Sequence, residues 1–178
     1  MGALPPFLAS SMHSRLVITP TDLVDLRHVE AFLDLLDHYA RDPMGGGDGL
    51  SDYAKLHLVG TLQEVPGFHG ALAWLDGEAV GLIDCFAGFS TFAAKPLLNV
   101  HDIVVHASQR GRGVGQALLT WAEQRAGELG CCKLTLEVLS NNTRAMRSYE
   151  QAGFVPYALD PAAGHALLMQ KILPEETA

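Results

Sequence analysis

The chain lacks several things, and each absence narrows what it can be. Its 178 residues include only three cysteines, Cys85, Cys131 and Cys132. Two of these are adjacent and no pair has metal-ligand spacing, so neither a disulfide framework nor a thiolate metal site is expected. Packed thiols in a reducing cytoplasm are the expectation instead. His57 and His69 have no partners at metal spacing, and no metal is expected. Basic residues number 12 against 20 acids, for a net charge of -8, and aromatics are 7%. That balance disfavours a nucleic-acid binder, whose affinity rests on neutralising phosphates. No apolar run is long enough to span a membrane. The opening MGALPPFLASSMHS has no basic segment ahead of its apolar residues, and Pro6 stands where a myristoylation pattern needs Ser or Thr. Neither a secretory signal nor a lipid anchor is therefore expected, and residues 1–14 read as a loose tail.

What is present points to one compact domain. Hydrophobic residues make up 48% and charged residues 18%, enough apolar material for a full core in a chain of this length. Arg15 to Thr19 reads as a first strand. Pro20-Thr21-Asp22 reads as a helix start, and Leu23, Leu26, Val29, Phe32, Leu33 and Leu36 recur at helical spacing to about Tyr39. The stretch from Arg41 to Leu50 carries Pro43 and four glycines and cannot be helical. Its MGGGD, Met44 to Asp48, reads as a substrate loop. A second helix is expected from about Asp52 to Glu64, with Ser51 as cap. Asp76-Gly77 between two apolar runs predicts a hairpin joining strands at Gly70–Leu75 and Ala79–Phe86. A loop from Ala87 to Pro96 leads to a strand at Leu97–Val105. A helix from about Gly113 to Leu129, a strand from Lys133 to Leu139 and a helix from Asn142 to Ala152 follow. Phe154–Ala158 and His165–Ile172 are read as strands. The order implies a mixed α/β sheet with helices on its faces.

The most informative absence is local. From Ile103 through Ala122 there is no Asp or Glu. Inside that window, where a strand gives way to a helix, sits Arg110-Gly111-Arg112-Gly113-Val114-Gly115. A helix N-terminus presents unpaired N–H groups, glycines let the backbone come close to an anion, and arginine forks onto phosphate oxygens. The segment reads as a phosphate cradle. It is not a Walker loop, since no Gly-Lys-Ser/Thr occurs, nor a dinucleotide fingerprint, since Leu118 occupies the third glycine position. Downstream, Asn142 and Tyr149 lie two helical turns apart and share a face, with small Ala145 between them.

Arg110-Gly-Arg-Gly113-Val-Gly115 resembles the Q/R-x-x-G-x-G/A motif of the GCN5-related N-acetyltransferases. The run from Asn142 through Ala145 and Tyr149 to Gly153-Phe154 resembles the second motif of that family. The likeness covers about Ala71 to Phe154. The resemblance implies a mostly antiparallel sheet of six to seven strands with helices on both faces, in a single domain over residues 15–174. It implies acetyl-CoA as co-substrate, with its pyrophosphate on Arg110, Gly111, Arg112, Gly113, Val114 and Gly115. The pantetheine arm would enter between two splayed strands, pair with backbone of Ile103, Val104 and Val105, and meet Asn142 from the other side. Tyr149 would sit beside the sulfur.

Acetyl transfer to an amine requires a deprotonated nucleophile, a stabilised thioester oxygen and a protonated leaving thiolate. Backbone N–H near Val104 is the expected oxyanion donor and Tyr149 the expected acid. His101 is the expected base and Asp102 a binder of the substrate ammonium or an orienting partner. In a regular strand these two side chains would point to opposite faces, so both reach one cavity only if a bulge intervenes. Asp102 and Asp84 could favour a small cationic acceptor. Phe86, Phe89 and Phe92 could line an acceptor site or a dimer contact. Two rivals stand beside the enzyme: a non-catalytic acyl-CoA sensor of the same fold, and an Arg-Gly nucleic-acid segment, which the acidic, aromatic-poor composition disfavours.

Overall fold

A computed structural model describes residues 15–157, 160, 162 and 166–173. The tail expected over residues 1–14 lies outside the described residues, as do the ends of the last two expected strands at 158 and 165 and the domain end at 174. The elements run β1 (Leu16–Pro20), α1 (Leu26–Ala40), α2 (Asp52–Glu64), β2 (Phe68–Leu75), β3 (Glu78–Ser90), β4 (Lys95–Val105), α3 (Val114–Glu128), β5 (Leu134–Leu136) and α4 (Thr143–Gln151). One sheet joins the strands in the order β1-β2-β3-β4-β5. The first three pairings are antiparallel and β4 with β5 is parallel.

Apolar side chains alternate through the sheet and feed two cores. On one face Leu72, Trp74, Leu82 and Val104 pack with Phe32, Leu35 and Leu36 of α1 and Leu62 of α2. On the other Ala71, Ala73, Ile83, Cys85, Leu98 and Val100 pack with Val114, Leu118, Leu119, Ala122 and Ala126 of α3, and Tyr149 of α4 joins this cluster. The sheet is thus covered on both faces, as expected.

Three expectations need correction. The sheet has five strands among the described residues. Residues 154–157 and 166–173 form no strand, and Val155, Leu167, Leu168, Met169 and Ile172 are exposed. Helix α1 starts at Leu26, because Asp25 is the cap, its carboxylate accepting the Arg27 N–H, while Asp22 is spent on a turn to Val24 N–H. The loop expected from Ala87 to Pro96 is instead a tight hairpin: β3 and β4 pair all the way to Ser90 and Lys95. Elsewhere the local chemistry acts as read. Ser51 caps α2 through Ala54 N–H, and Asp76 and Gly77 both take positive φ, 52° and 89°, as the two-residue hairpin requires.

Candidate active site

The site is built where β4 leaves the sheet. Strand β4 pairs with β5 only from Leu98 to Val100. From His101 to Val105 it continues, paired with β3 alone. His106 N–H donates to Val80 O across that pairing at 2.9 Å. Backbone direction alternates along a strand, so Val104 N–H also turns toward β3, whereas Ile103 and Val105 turn theirs to the open edge. The Val104 N–H, expected as a donor, is thus not at the open edge, where the N–H groups of its two neighbours are. Val105 O at that edge accepts Arg110 Nε at 3.1 Å.

A one-turn 3-10 segment, Ala107–Gln109, carries the chain from β4 to α3. Gly111 and Gly113 both take left-handed φ, 79° and 82°, and Gly113 caps α3 with no side-chain hydrogen bond. The first N–H groups of α3 therefore remain as donors beside the open edge. Gly115, in the first turn, faces Val105 and Ser148, and a Cβ there would meet them only at ordinary contact distance. The two arginines differ. Arg110 Nη2 pairs with Asp42 Oδ2 at 2.9 Å, which ties the glycine loop after α1 to the cradle. Arg112 is exposed, makes no ion pair among the described residues, and donates to Gln109 Oε1 at 2.6 Å.

Helix α4 closes the other side of the gap. Asn142 caps it, Oδ1 accepting the Ala145 N–H at 3.2 Å. Gln116 of α3 donates to both Ser148 O, at 2.7 Å, and Ser148 Oγ, at 2.9 Å, and so fixes α4 against α3. Tyr149 lies next to Ser148. Burial first, then the neighbouring Tyr39 and Asp102, push its hydroxyl up to about 12, so it stays protonated at neutral pH. Tyr39 of α1 is raised likewise, by burial and then by Asp102 and Asp42.

The bulge that both His101 and Asp102 require is present. The β3–β4 register steps from Asp84–Asp102 to Cys85–Val100, leaving His101 as the extra residue. Asp102 is in register with Asp84, and the His101 ring stands edge-on to Phe86 at 5.4 Å. Asp84 and Phe86 alternate with Leu82 on the α1 face, so His101 and Asp102 lie on that same face. Burial raises the Asp102 carboxyl above its usual range, opposed by His101. The sequence motifs singled out Tyr149, Asn142, Ile103, Val105 and the cradle, of which the structure sets Gly115 against Val105 and against Ser148, the neighbour of Tyr149. They did not single out Tyr39, Asp42 or Gln116. Tyr39 and Asp42 sit at a helix end and in a loop, with no spacing pattern to mark them. Among the described residues no group of His, Cys, Asp and Glu could hold a metal, and no helix is long and apolar enough to cross a membrane.

A strand that parts from its parallel neighbour beside a glycine-led helix N-terminus is the architecture that the motifs implied. The model of the acetyltransferase (GNAT) family matches residues 32–154. The chain belongs to the GNAT family. Streptothricin acetyltransferase of Streptomyces lavendulae is 35% identical over 107 residues, covering 56% of this chain and 54% of that protein. The chain thus spans about half the length of that relative. An uncharacterised N-acetyltransferase of Archaeoglobus fulgidus is 37% identical over 127 residues, 65% of this chain and 84% of its own. Among solved structures, an aminoglycoside N-acetyltransferase in complex with CoA superposes with a TM-score of 0.65 at 18% identity, over 94% of this chain and 99% of that one. At that identity the likeness is one of fold. The GNAT match runs from within α1 past the end of α4, so both halves of the gap, the cradle and the β4 bulge fall inside it.

Proposed function

We propose that the protein is an acetyl-CoA-dependent N-acetyltransferase acting on a primary amine by direct attack. The observation that carries this reading is the open edge of β4 beside the N-terminus of α3. Ile103 backbone and the Val105 N–H are unpaired there, Val105 O being taken by Arg110, and Gly113 to Gly115 offer helix N–H groups to an anion. These fit a ligand with an extended amide-bearing arm ending in a pyrophosphate. Arg112 adds a charge free to pair with phosphate oxygen, and Asn142, its Oδ1 held by the cap, has its amide donors left to offer the arm. When bound, acetyl-CoA supplies the thioester. The chain's own residues orient it, neutralise charge and move protons.

In this reading His101, or water held by it, takes the proton from the amine. Asp102 faces the ammonium before that proton leaves. Backbone N–H of Ile103 or Val105 steadies the thioester oxygen as charge develops. Tyr149, protonated at neutral pH, gives its proton to the departing thiolate. Asp102, the carboxyl on the acceptor side, favours a small cationic amine. Family relatives include an acetyltransferase for streptothricin and one for aminoalkylphosphonate, which places small amines among the classes worth testing. We place the working protein in the cytoplasm and propose a homodimer, with exposed Phe89 and Phe92 at the β3–β4 turn as its contact. No feature of the site favours the non-catalytic sensor.

The first test is thermal stability with acetyl-CoA, CoA, NAD and ATP in parallel. A ligand that binds only the folded state adds about 2.7 kcal/mol at a hundredfold excess over its Kd. Stabilisation by acetyl-CoA and CoA alone is the expected result, followed by thiol release with a panel of amines. Stabilisation by NAD or ATP, with none from either CoA, removes the proposal.

A further inference from the structure

Asp84 is the buried charged side chain that the mechanism above leaves without a task. It lies on β3 and is 4% exposed, the only charged residue so buried among the described residues. A carboxyl there is costly unless its oxygens are engaged. What engages it is backbone: Oδ1 accepts the Asp102 N–H at 2.8 Å. That bond falls at the step in register that leaves His101 unpaired. A bulge re-aims side chains, and this one brings His101 and Asp102 to the same face. Without it, one of them would face the α3 core with Val100 and Ile103.

We propose that Asp84 is a positioning residue for acetyl transfer: its carboxyl oxygen holds the Asp102 amide, and so keeps the β4 bulge that turns His101 and Asp102 together toward the acceptor. The inference rests on the roles given above to His101 and Asp102. Leu82 and Phe86 flank Asp84 on the same face, so an apolar side chain would suit the surroundings there but could not hold the amide. Asp102 of β4 faces Asp84 directly, His101 stands beside Asp102, and Tyr39 of α1 and Tyr149 of α4 lie near Asp102. Cys85, next along β3, belongs to the opposite core.

The test compares Asp84→Asn, which keeps an acceptor oxygen, with Asp84→Ala, which does not. Phenethylamine, putrescine and glucosamine serve as acceptor probes. Asp84→Ala is expected to lower kcat/KM for the amine on the order of 10- to 100-fold, the scale of a small misplacement of reacting groups. CoA affinity by calorimetry should be unchanged, and Asp84→Asn should restore most of the rate. In the unmutated protein the Asp102 amide should resist hydrogen exchange. Its proton shift should follow the ionisation of Asp84 near neutral pH, a response lost in Asp84→Asn. Wild-type kinetics in Asp84→Ala overturns the proposal, as do equal losses in rate and CoA affinity. An Asp102 amide that exchanges freely in the unmutated protein also overturns it, and this is readable even if Asp84→Ala does not fold. His101→Ala and Asp102→Ala run alongside. If both leave amine kinetics intact, the site reading fails. If they damage it and Asp84→Ala does not, only the positioning role fails.

Discussion

At the scale of single residues, burial sets proton affinity, and two groups make this measurable. Tyr149 is held protonated by burial and by its neighbours Tyr39 and Asp102. In the proposed role it acts only as the thiolate leaves, so Tyr149→Phe is expected to lower kcat by about 100-fold or more while CoA affinity stays within about twofold. Equal losses in both would assign the hydroxyl to binding. The second group is Asp84, raised from 3.8 to about 7 by burial, then by Asp102. Its folded state holds a proton that the unfolded chain gives up, so from about pH 4 to 7 stability falls as pH rises. The contribution is full below the unfolded value and lost as pH passes the folded one. One such group changes stability by at most about 1.4 kcal/mol per pH unit. Asp84→Asn should flatten this slope, and should gain on the unmutated protein between pH 5 and pH 8 in urea unfolding. Parallel pH curves would show that Asp84 does not titrate in that range. At this scale the sequence was readable where a residue belongs to a spaced motif, as Tyr149 and Asn142 do. Tyr39 was not, and Asp84 was read as a pocket charge rather than as an acceptor for backbone, because what matters about them is what lies across the sheet or over it.

Elements were legible wherever their signals are local. Ser51 before α2, Asp76-Gly77 between β2 and β3, and the glycines before α3 each act through neighbours within a few residues. The bulge in β4 is different. Nothing in Asn99-Val-His-Asp102 marks it, because it is a mismatch between two strands and depends on the register that β3 imposes. The short β5 has the same cause: Lys133 to Leu139 could pair throughout, yet β4 turns away after Val100. Element-level logic also gives two glycine substitutions opposite signs. Gly113 caps α3 at φ 82°, where an L side chain costs about 1–2 kcal/mol. Gly60 sits in the middle of α2, exposed, with open space for a Cβ, and there alanine should add up to about 1 kcal/mol. Gly113→Ala is expected to lower Tm and weaken CoA binding. Gly60→Ala is expected to raise Tm and leave CoA binding alone. A stabilised Gly113→Ala would mean that the cap relaxes, and that the cradle does not depend on it.

At the scale of the whole molecule, the question is how a chain of net charge -8 accepts a polyanionic ligand. Its acids are kept out of the stretch from Ile103 to Ala122, and Asp42, which reaches the cradle, is paired with Arg110, so the remaining repulsion comes from a distance and salt screens it, with a Debye length of about 10 Å at 0.1 M. Contact attraction is then left to the arginines, and these are not equivalent. Arg110 is neutralised by Asp42 at 2.9 Å and also holds Val105 O. Arg112 faces only a neutral glutamine among the described residues. Arg112→Ala should therefore weaken CoA affinity by about tenfold, the effect of losing one charge-assisted contact, with the pH profile of transfer unchanged. Arg110→Met should act elsewhere. It frees the loop carrying Asp42, which joins α1 to the acceptor side near Tyr39, so KM for the amine should rise more than the Kd for CoA. Calorimetry of both variants with CoA, at low and at physiological salt, together with amine kinetics, separates the two. If Arg110→Met instead costs CoA affinity as much as Arg112→Ala does, then Asp42 gives up its partner when the anion binds. The glycine loop and the cradle would then be coupled through that one exchange.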